Sequence, residues 1–305
     1  MTLRDALAML VLAALWGASF LFLRVASPVL GAVGVAAWRV GVAALLLLPL
    51  LAFRGDLPRL KPLLPALFVS GLLSYALPFV GISQAARSLP AGLLSILNAS
   101  TPLWGALVGW LWASERLSPS RLLGLAVGFT GVALLAADRS QINTATAWQA
   151  AVLCLASTLM YALAVHHAKR YLNALSPMSL TTGSLAAAAV MLALPAWWLG
   201  PQATHGPTLG WADTPTQVWG AVACLAVLCT ALGYLMFYRL ISRVGPTRAL
   251  TVTFLIPVFG MLWGSLFLDE RVTHTMMAST AVIFLGTLLS SGAWSPLSPL
   301  QEQNR

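Results

Sequence analysis

The sequence predicts an all-α integral membrane protein: ten transmembrane helices arranged as two inverted five-helix repeats. Three observations predict it. The 305-residue chain is 59% hydrophobic and only 8% charged, with a mean hydropathy of +0.85. An ordinary soluble domain carries about 25% charged residues. So little charge cannot clothe a water-facing surface, so lipid must solvate much of the chain. The apolar residues also gather into ten runs, each near the ~20 residues that a bilayer crossing needs. Finally, residues 102–135 align without a gap on 257–290, and twelve of these 34 positions are identical.

The ten runs are 6–24, 31–53, 63–83, 91–113, 120–137, 147–166, 178–199, 217–238, 247–268 and 275–293. Turn-forming residues separate them: Ser27-Pro28, Arg54-Gly55-Asp56, Ser88-Leu89-Pro90, Ser118-Pro119, Ser176-Pro177 and Gly245-Pro246. The longest connection, 200–216, contains Asp213 but no Lys or Arg. The first run follows Arg4 and extends to Arg24. It reads as a retained span and not as a cleaved signal.

The aligned segments share Pro102/Pro257, Gly105/Gly260, Gly109/Gly264, Glu115/Glu270, Arg116/Arg271 and Gly131/Gly286. Shared leucines would be cheap to obtain by chance. A shared proline, three glycines and an adjacent Glu-Arg in one register are not. A duplicated hydrophobic unit marks a transporter built from two structural repeats, here 1–139 and 147–293, followed by a short tail, 294–305. With the N-terminus inside, the inner segments hold twelve basic residues, from Arg4 to Arg305, and the outer ones hold four: Arg24, Arg87, Arg139 and Arg271. That imbalance places both termini in the cytoplasm. Five spans is an odd number, so the second repeat enters the membrane upside down. Glu115-Arg116 then falls inside and Glu270-Arg271 outside.

The excess of 17 basic over 8 acidic residues sits in short loops. It serves membrane topology, and no nucleic-acid partner is expected. Cys154, Cys224 and Cys229 lie in apolar runs without metal-ligand spacing and read as packing residues. His166-His167 is a poor metal pair because helix neighbours point apart. No metal or cofactor is expected. All eight acids and four histidines fall at span ends or in loops, so no midplane proton relay is visible. Glu115 and Glu270 are expected to pair with Arg116 and Arg271 at helix ends.

Pro102 and Pro257 lie ten or eleven residues into their runs, near the bilayer midplane. A helix-interior proline removes a hydrogen bond and crowds the carbonyl four residues back, here those of Asn98 and Thr253. In hydrocarbon such a carbonyl must face protein, water or ligand. Paired interruptions in two halves point to the substrate site. Other polar or aromatic residues at mid-depth are Trp16 and Ser19, Ser74 and Tyr75, Trp104, Ser157 and Tyr161, and Thr230 and Tyr234. The candidate substrate-binding set is therefore Trp16, Ser19, Tyr75, Asn98, Pro102, Trp104, Tyr161, Tyr234, Thr253 and Pro257. No catalytic residues are expected: there is no His-Glu-x-x-His, no paired intramembrane Asp and no Ser/His pair at common depth. Gly105-x-x-x-Gly109, Gly260-x-x-x-Gly264 and Gly124-x-x-x-Gly128 read as helix-packing faces. Trp197, Trp198 and Trp294 read as interfacial anchors. Arg39 is the one charge deep in a span. It is expected to be structural, snorkelling outward or bonding helix ends; the functional alternative is a carboxylate anchor.

Trp16-Gly17, Trp38-Arg39 and the repeated Pro…Gly…Glu-Arg…Gly pattern resemble the EamA-type proteins of the drug/metabolite transporter superfamily, over essentially the whole chain. The resemblance implies ten helices, cytoplasmic termini, a central cavity lined by spans 1, 3, 4, 6, 8 and 9, and often export of amino acids or other small metabolites. The second repeat departs from it, with Tyr161-Ala162 in place of a Trp-Gly and no counterpart of Arg39. The expected function is transport of small neutral, zwitterionic or amphipathic metabolites across the cell membrane. The partners are the substrate and the bilayer; the oligomeric state is open. An organic-anion carrier is the alternative, but it would need several cations facing the cavity. A channel or an intramembrane enzyme ranks below that.

Overall fold

The computed structural model describes residues 2–112, 118–138, 140–203 and 210–290, apart from the side chains of Pro246 and Thr247. Glu115, Arg116, His205, Trp294 and the 294–305 tail lie outside the described residues. Among the described residues every regular element is helical. Eight helices are long and apolar enough to cross a membrane: α1 (Leu3–Phe53), α2 (Leu57–Ala85), α3 (Ala91–Trp112), α4 (Pro119–Ala136), α5 (Ala145–Tyr171), α6 (Pro177–Leu199), α7 (Thr216–Val244) and α8 (Arg248–Leu268). A ninth, α9 (His274–Ser290), is apolar but shorter.

The boundaries follow local chemistry. The Ser118, Thr144 and Ser176 hydroxyls accept from the backbone N–H three residues on, capping α4, α5 and α6. Pro119 and Pro177 sit in the first turn, where a missing N–H costs nothing. The link between the first two predicted spans, both of which fall within α1, differs from expectation. Ser27-Pro28 does not end a helix. Pro28 stays helical, and the break falls at Gly31, with φ 73° and ψ 165°. A residue with a Cβ is strained there. Unbroken, 51 residues would run ~75 Å, more than twice a ~30 Å hydrocarbon core.

Three further helices are interrupted. In α3 a turn at Ala99-Ser100 separates Ala91–Asn98 from Thr101–Trp112. In α2 and α7 the chain widens into π-helical turns over Leu72–Ala76 and Cys224–Leu232. The 155-residue offset of the aligned segments carries 72–76 onto 227–231, within the second widened stretch.

Small residues set the closest approaches. A side-chain carbon on Gly17 would meet Phe259 and the backbone of Gly260, so α1 and α8 touch backbone to backbone. Gly260 lies on Ser95, and Gly264 beside Ala91. Gly105, in contrast, has no such neighbour within 4 Å, so the packing role expected there is not met. α4 and α9 run antiparallel through glycines: Gly124 meets Gly286 and Ser290, Gly128 meets Gly286, and Gly131 meets Ser279 and Ile283. Trp197 and Trp198 are 79% and 84% exposed, a position suited to lipid and not to water.

Candidate functional site

The widened turns bring the site together. Trp16 of α1 packs on Tyr234 of α7, with ring centroids 6.1 Å apart. Tyr234 meets Tyr75 of α2 at 6.0 Å and Tyr238 at 6.2 Å. Tyr161 of α5 packs between the two hydrophobic clusters that flank these rings. A π-turn loosens the α-helical ladder. Within it the Cys229 carbonyl accepts from Trp16 Nε1 at 3.1 Å. One residue on, Thr230 Oγ1 donates to the Leu225 carbonyl at 2.7 Å.

Arg39 lies at the same place. It neither snorkels outward nor bonds a helix end: its exposure is 9%, its Nε donates to Thr230 Oγ1 at 2.9 Å, and its guanidinium sits 3.8 Å from the centre of the Phe79 ring. Phe79 in turn packs on Tyr75 at 5.5 Å. The sequence offset relates Tyr75 to Thr230 and Phe79 to Tyr234. Residues of α2 and α7 thus meet around one arginine. Phe79 was not legible as a candidate by polarity or depth; that pairing under the offset was the signal that would have found it.

The remaining candidates occupy other surroundings. Ser19 is buried and donates to the Trp16 carbonyl on its own helix, at 2.6 Å. Contrary to expectation, Pro102 is not inside a continuous helix: the turn at Ala99-Ser100 puts it in the first turn of Thr101–Trp112, and the Asn98 carbonyl accepts from Thr101 Oγ1 at 2.7 Å. Asn98 Oδ1 and Trp104 Nε1 are buried without partners among the described residues. Next to Asn98, Ser100 Oγ lies 3.3 Å from Thr158 Oγ1 of α5, one turn from Tyr161. Trp104 packs instead on Phe129 of α4, at 5.0 Å. Pro102 is exposed and Pro257 is buried in α8. Thr253 Oγ1 donates to the Leu250 carbonyl at 2.8 Å.

The two ends of α2 differ. Beside Phe53 and Arg54 a cavity of about 350 Å³ is lined by Leu50, Met178, Leu235, Tyr238 and Arg239. It reaches the aromatic cluster through Tyr238, which donates to Thr181 and stacks on Tyr234. At the other end Glu270 ties three segments together. It pairs with Arg24 at 3.3 Å and accepts from the Ala91 N–H at the start of α3, at 2.8 Å. The pairing with Arg271 expected from sequence is replaced by this one, because a helix N-terminus and a half-buried arginine offer stronger partners. Burial pushes the Glu270 carboxyl above its ordinary range, while Arg24 and the N–H groups of Ala91 and Gly92 pull it back. Among the described residues no three His, Cys, Asp or Glu side chains gather as a metal-ligand set.

The EamA-like transporter family matches residues 4–137 and again 148–292. The chain belongs to the EamA-like transporter family. It is a multi-pass membrane transporter. The uncharacterized transporter YvbV of Bacillus subtilis is 26% identical over 287 residues, 92% of this chain and 89% of that protein. A probable terminal-alkyne amino-acid exporter of Streptantibioticus cattleyicolor is 24% identical over 278 residues, 90% of this chain and 89% of its own. A probable amino-acid metabolite efflux pump of Escherichia coli is 26% identical over 205 residues, covering 66% of this chain and 68% of its own. A crystal structure of another protein, 17% identical, shares the fold with a TM-score of 0.63, over 95% of this chain and 97% of that one.

Proposed function

We propose that this EamA-like transporter is an alternating-access exporter or facilitator for small neutral, zwitterionic or amphipathic metabolites such as amino acids. It would do so with ten spans in two inverted halves, 1–139 and 147–293, and both termini cytoplasmic. In this reading the break at Gly31 divides α1 into two crossings, each longer than the ~20 residues that one needs, and α9 supplies the tenth.

One observation carries the reading. The α4–α9 contacts exchange under the 155-residue offset: Gly128–Gly286 becomes Gly131–Ile283, and Gly124–Gly286 becomes Gly131–Ser279. Contacts that map onto themselves mark a two-fold axis. Between antiparallel helices that axis lies across them, which supports halves of opposite sense. Two related halves around a shared site are the apparatus of alternating access. The cluster of Trp16, Tyr75, Tyr161 and Tyr234 supplies an apolar wall with a few aimed polar groups, the usual form of a small-molecule site. The proposal extends this site to Asn98, whose Oδ1 is buried without a partner among the described residues. Two relatives bear names of amino-acid export, which favours that class.

The test is counterflow in liposomes loaded with unlabelled amino acids. A carrier accumulates the labelled species transiently and saturably. Linear, unsaturable entry would instead mark a channel.

A further inference from the structure

Arg39 is buried at the aromatic cluster without a counter-charge. Ion pairs among the described residues include Arg24 with Glu270, Arg59 with Asp56 and Arg243 with Asp5; none of these includes Arg39. Only its Nε is bonded, to Thr230. Its two terminal nitrogens have no acceptor among the described residues, and they are not among the polar atoms sealed off without partners. They therefore keep a small accessible surface.

A charge at this depth is costly unless it is paired or watered. A structural arginine discharges that cost by spending its donors on carbonyls or carboxylates. Arg39 spends one, and its ring contact with Phe79 leaves the guanidinium edge free. Thr230 and Phe79 hold the guanidinium from two sides, so its orientation is set in advance. The four N–H groups left over form the planar fork that matches a carboxylate with two parallel bonds. Tyr234, Tyr161 and the Cys229 thiol lie within its electrostatic reach, and Trp16 and Tyr75 extend the aromatic wall.

We infer that Arg39 is the carboxylate-recognition residue of the central site and that the substrates are small amphipathic monocarboxylates, amino acids included. Thr230 and Phe79 are positioning residues that aim the fork. A lone fork suits one carboxylate. A phosphate ester would call for further cations beside the fork; Arg54 and Arg239 line the cavity that Tyr238 borders, and the Phe79 ring contact and the Thr230 bond belong to Arg39. The inference rests on the carrier reading above and narrows its substrate class.

Matched probes test it on the purified full-length protein: 3-phenylpropanoate against 3-phenylpropanamide, L-phenylalanine against L-phenylalaninamide, and L-leucine against L-leucinamide. Binding is read as a shift in thermal unfolding in detergent, and transport as competition in liposome counterflow. The acids are expected to bind at least about tenfold more tightly than their amides, the effect of a charge-assisted hydrogen bond. Arg39→Lys keeps the charge and loses the fork, and Thr230→Val frees Nε; both should shrink that preference even if Arg39→Gln does not fold. Arg59→Gln, an exposed arginine paired with Asp56, should leave it unchanged. Equal binding of acids and amides overturns the inference. So does a preference that survives in both Arg39→Lys and Thr230→Val, or the absence of binding by any probe. Carboxylate-selective binding without counterflow upholds the site and removes the carrier reading. Counterflow without carboxylate preference does the opposite.

Discussion

Trp16 organises the site with its polar edge as well as its rings. Its Nε1 satisfies the Cys229 carbonyl while its indole packs on Tyr234 and on Phe237, 5.2 Å away. Trp16→Phe keeps an aromatic ring and removes the donor. A buried acceptor left without a partner costs about 1–3 kcal/mol, so thermal unfolding in detergent should move down and counterflow should weaken. An unchanged midpoint would show that the bond is dispensable. Trp16, Tyr75, Tyr161 and Tyr234 were legible in the sequence because aromatic rings carrying a polar atom are conspicuous at mid-span. The company that Arg39 keeps was not. A side chain of that length can reach outward or inward, and only the positions of Thr230 and Phe79 decide between them.

Helix contacts depend on residues too small to announce a partner. Gly128 and Gly286 let α4 and α9 meet backbone to backbone. Overfilling a tight contact costs about 1–3 kcal/mol or more, so Gly128→Leu or Gly286→Leu should lower the unfolding midpoint, while Gly105→Leu, with open space around it, should be tolerated. Equal losses at all three would contradict this packing. Glu270 joins α1, α3 and the α8–α9 connection. Its carboxyl is raised in the fold, so between the ordinary glutamate value and the raised one the native state holds more protons than the unfolded chain. Stability therefore falls as pH rises through that window. Glu270→Gln should flatten this slope in unfolding measured across pH, and an unaltered slope would exclude Glu270 as its source. The turns at Ser118-Pro119, Ser176-Pro177 and Gly245-Pro246 were readable because capping and proline chemistry are local. The π-turns were not, since Leu72–Ala76 reads as ordinary apolar helix. Nor was the persistence of helix through Pro28, which depends on Gly31 taking the reversal three residues later.

At the scale of the whole molecule, duplication was the plainest signal in the sequence, and the family model matches the chain twice, on 4–137 and 148–292. The same 155-residue offset relates the widened turns of α2 and α7 and exchanges the contacts of α4 with α9. Which half faces which way is a matter of insertion, and the Lys/Arg balance alone indicates it. The proposed five spans per half would require the loop between the halves to emerge opposite to both ends of the chain. The direct test is sidedness: a reporter tag in the loop at Ser140 and another at the C-terminus, each probed in intact cells and in opened ones. The account predicts that the Ser140 tag is reached from outside and the C-terminal tag only after opening. Finding both on one side of the membrane would contradict the inverted halves and the site proposed between them.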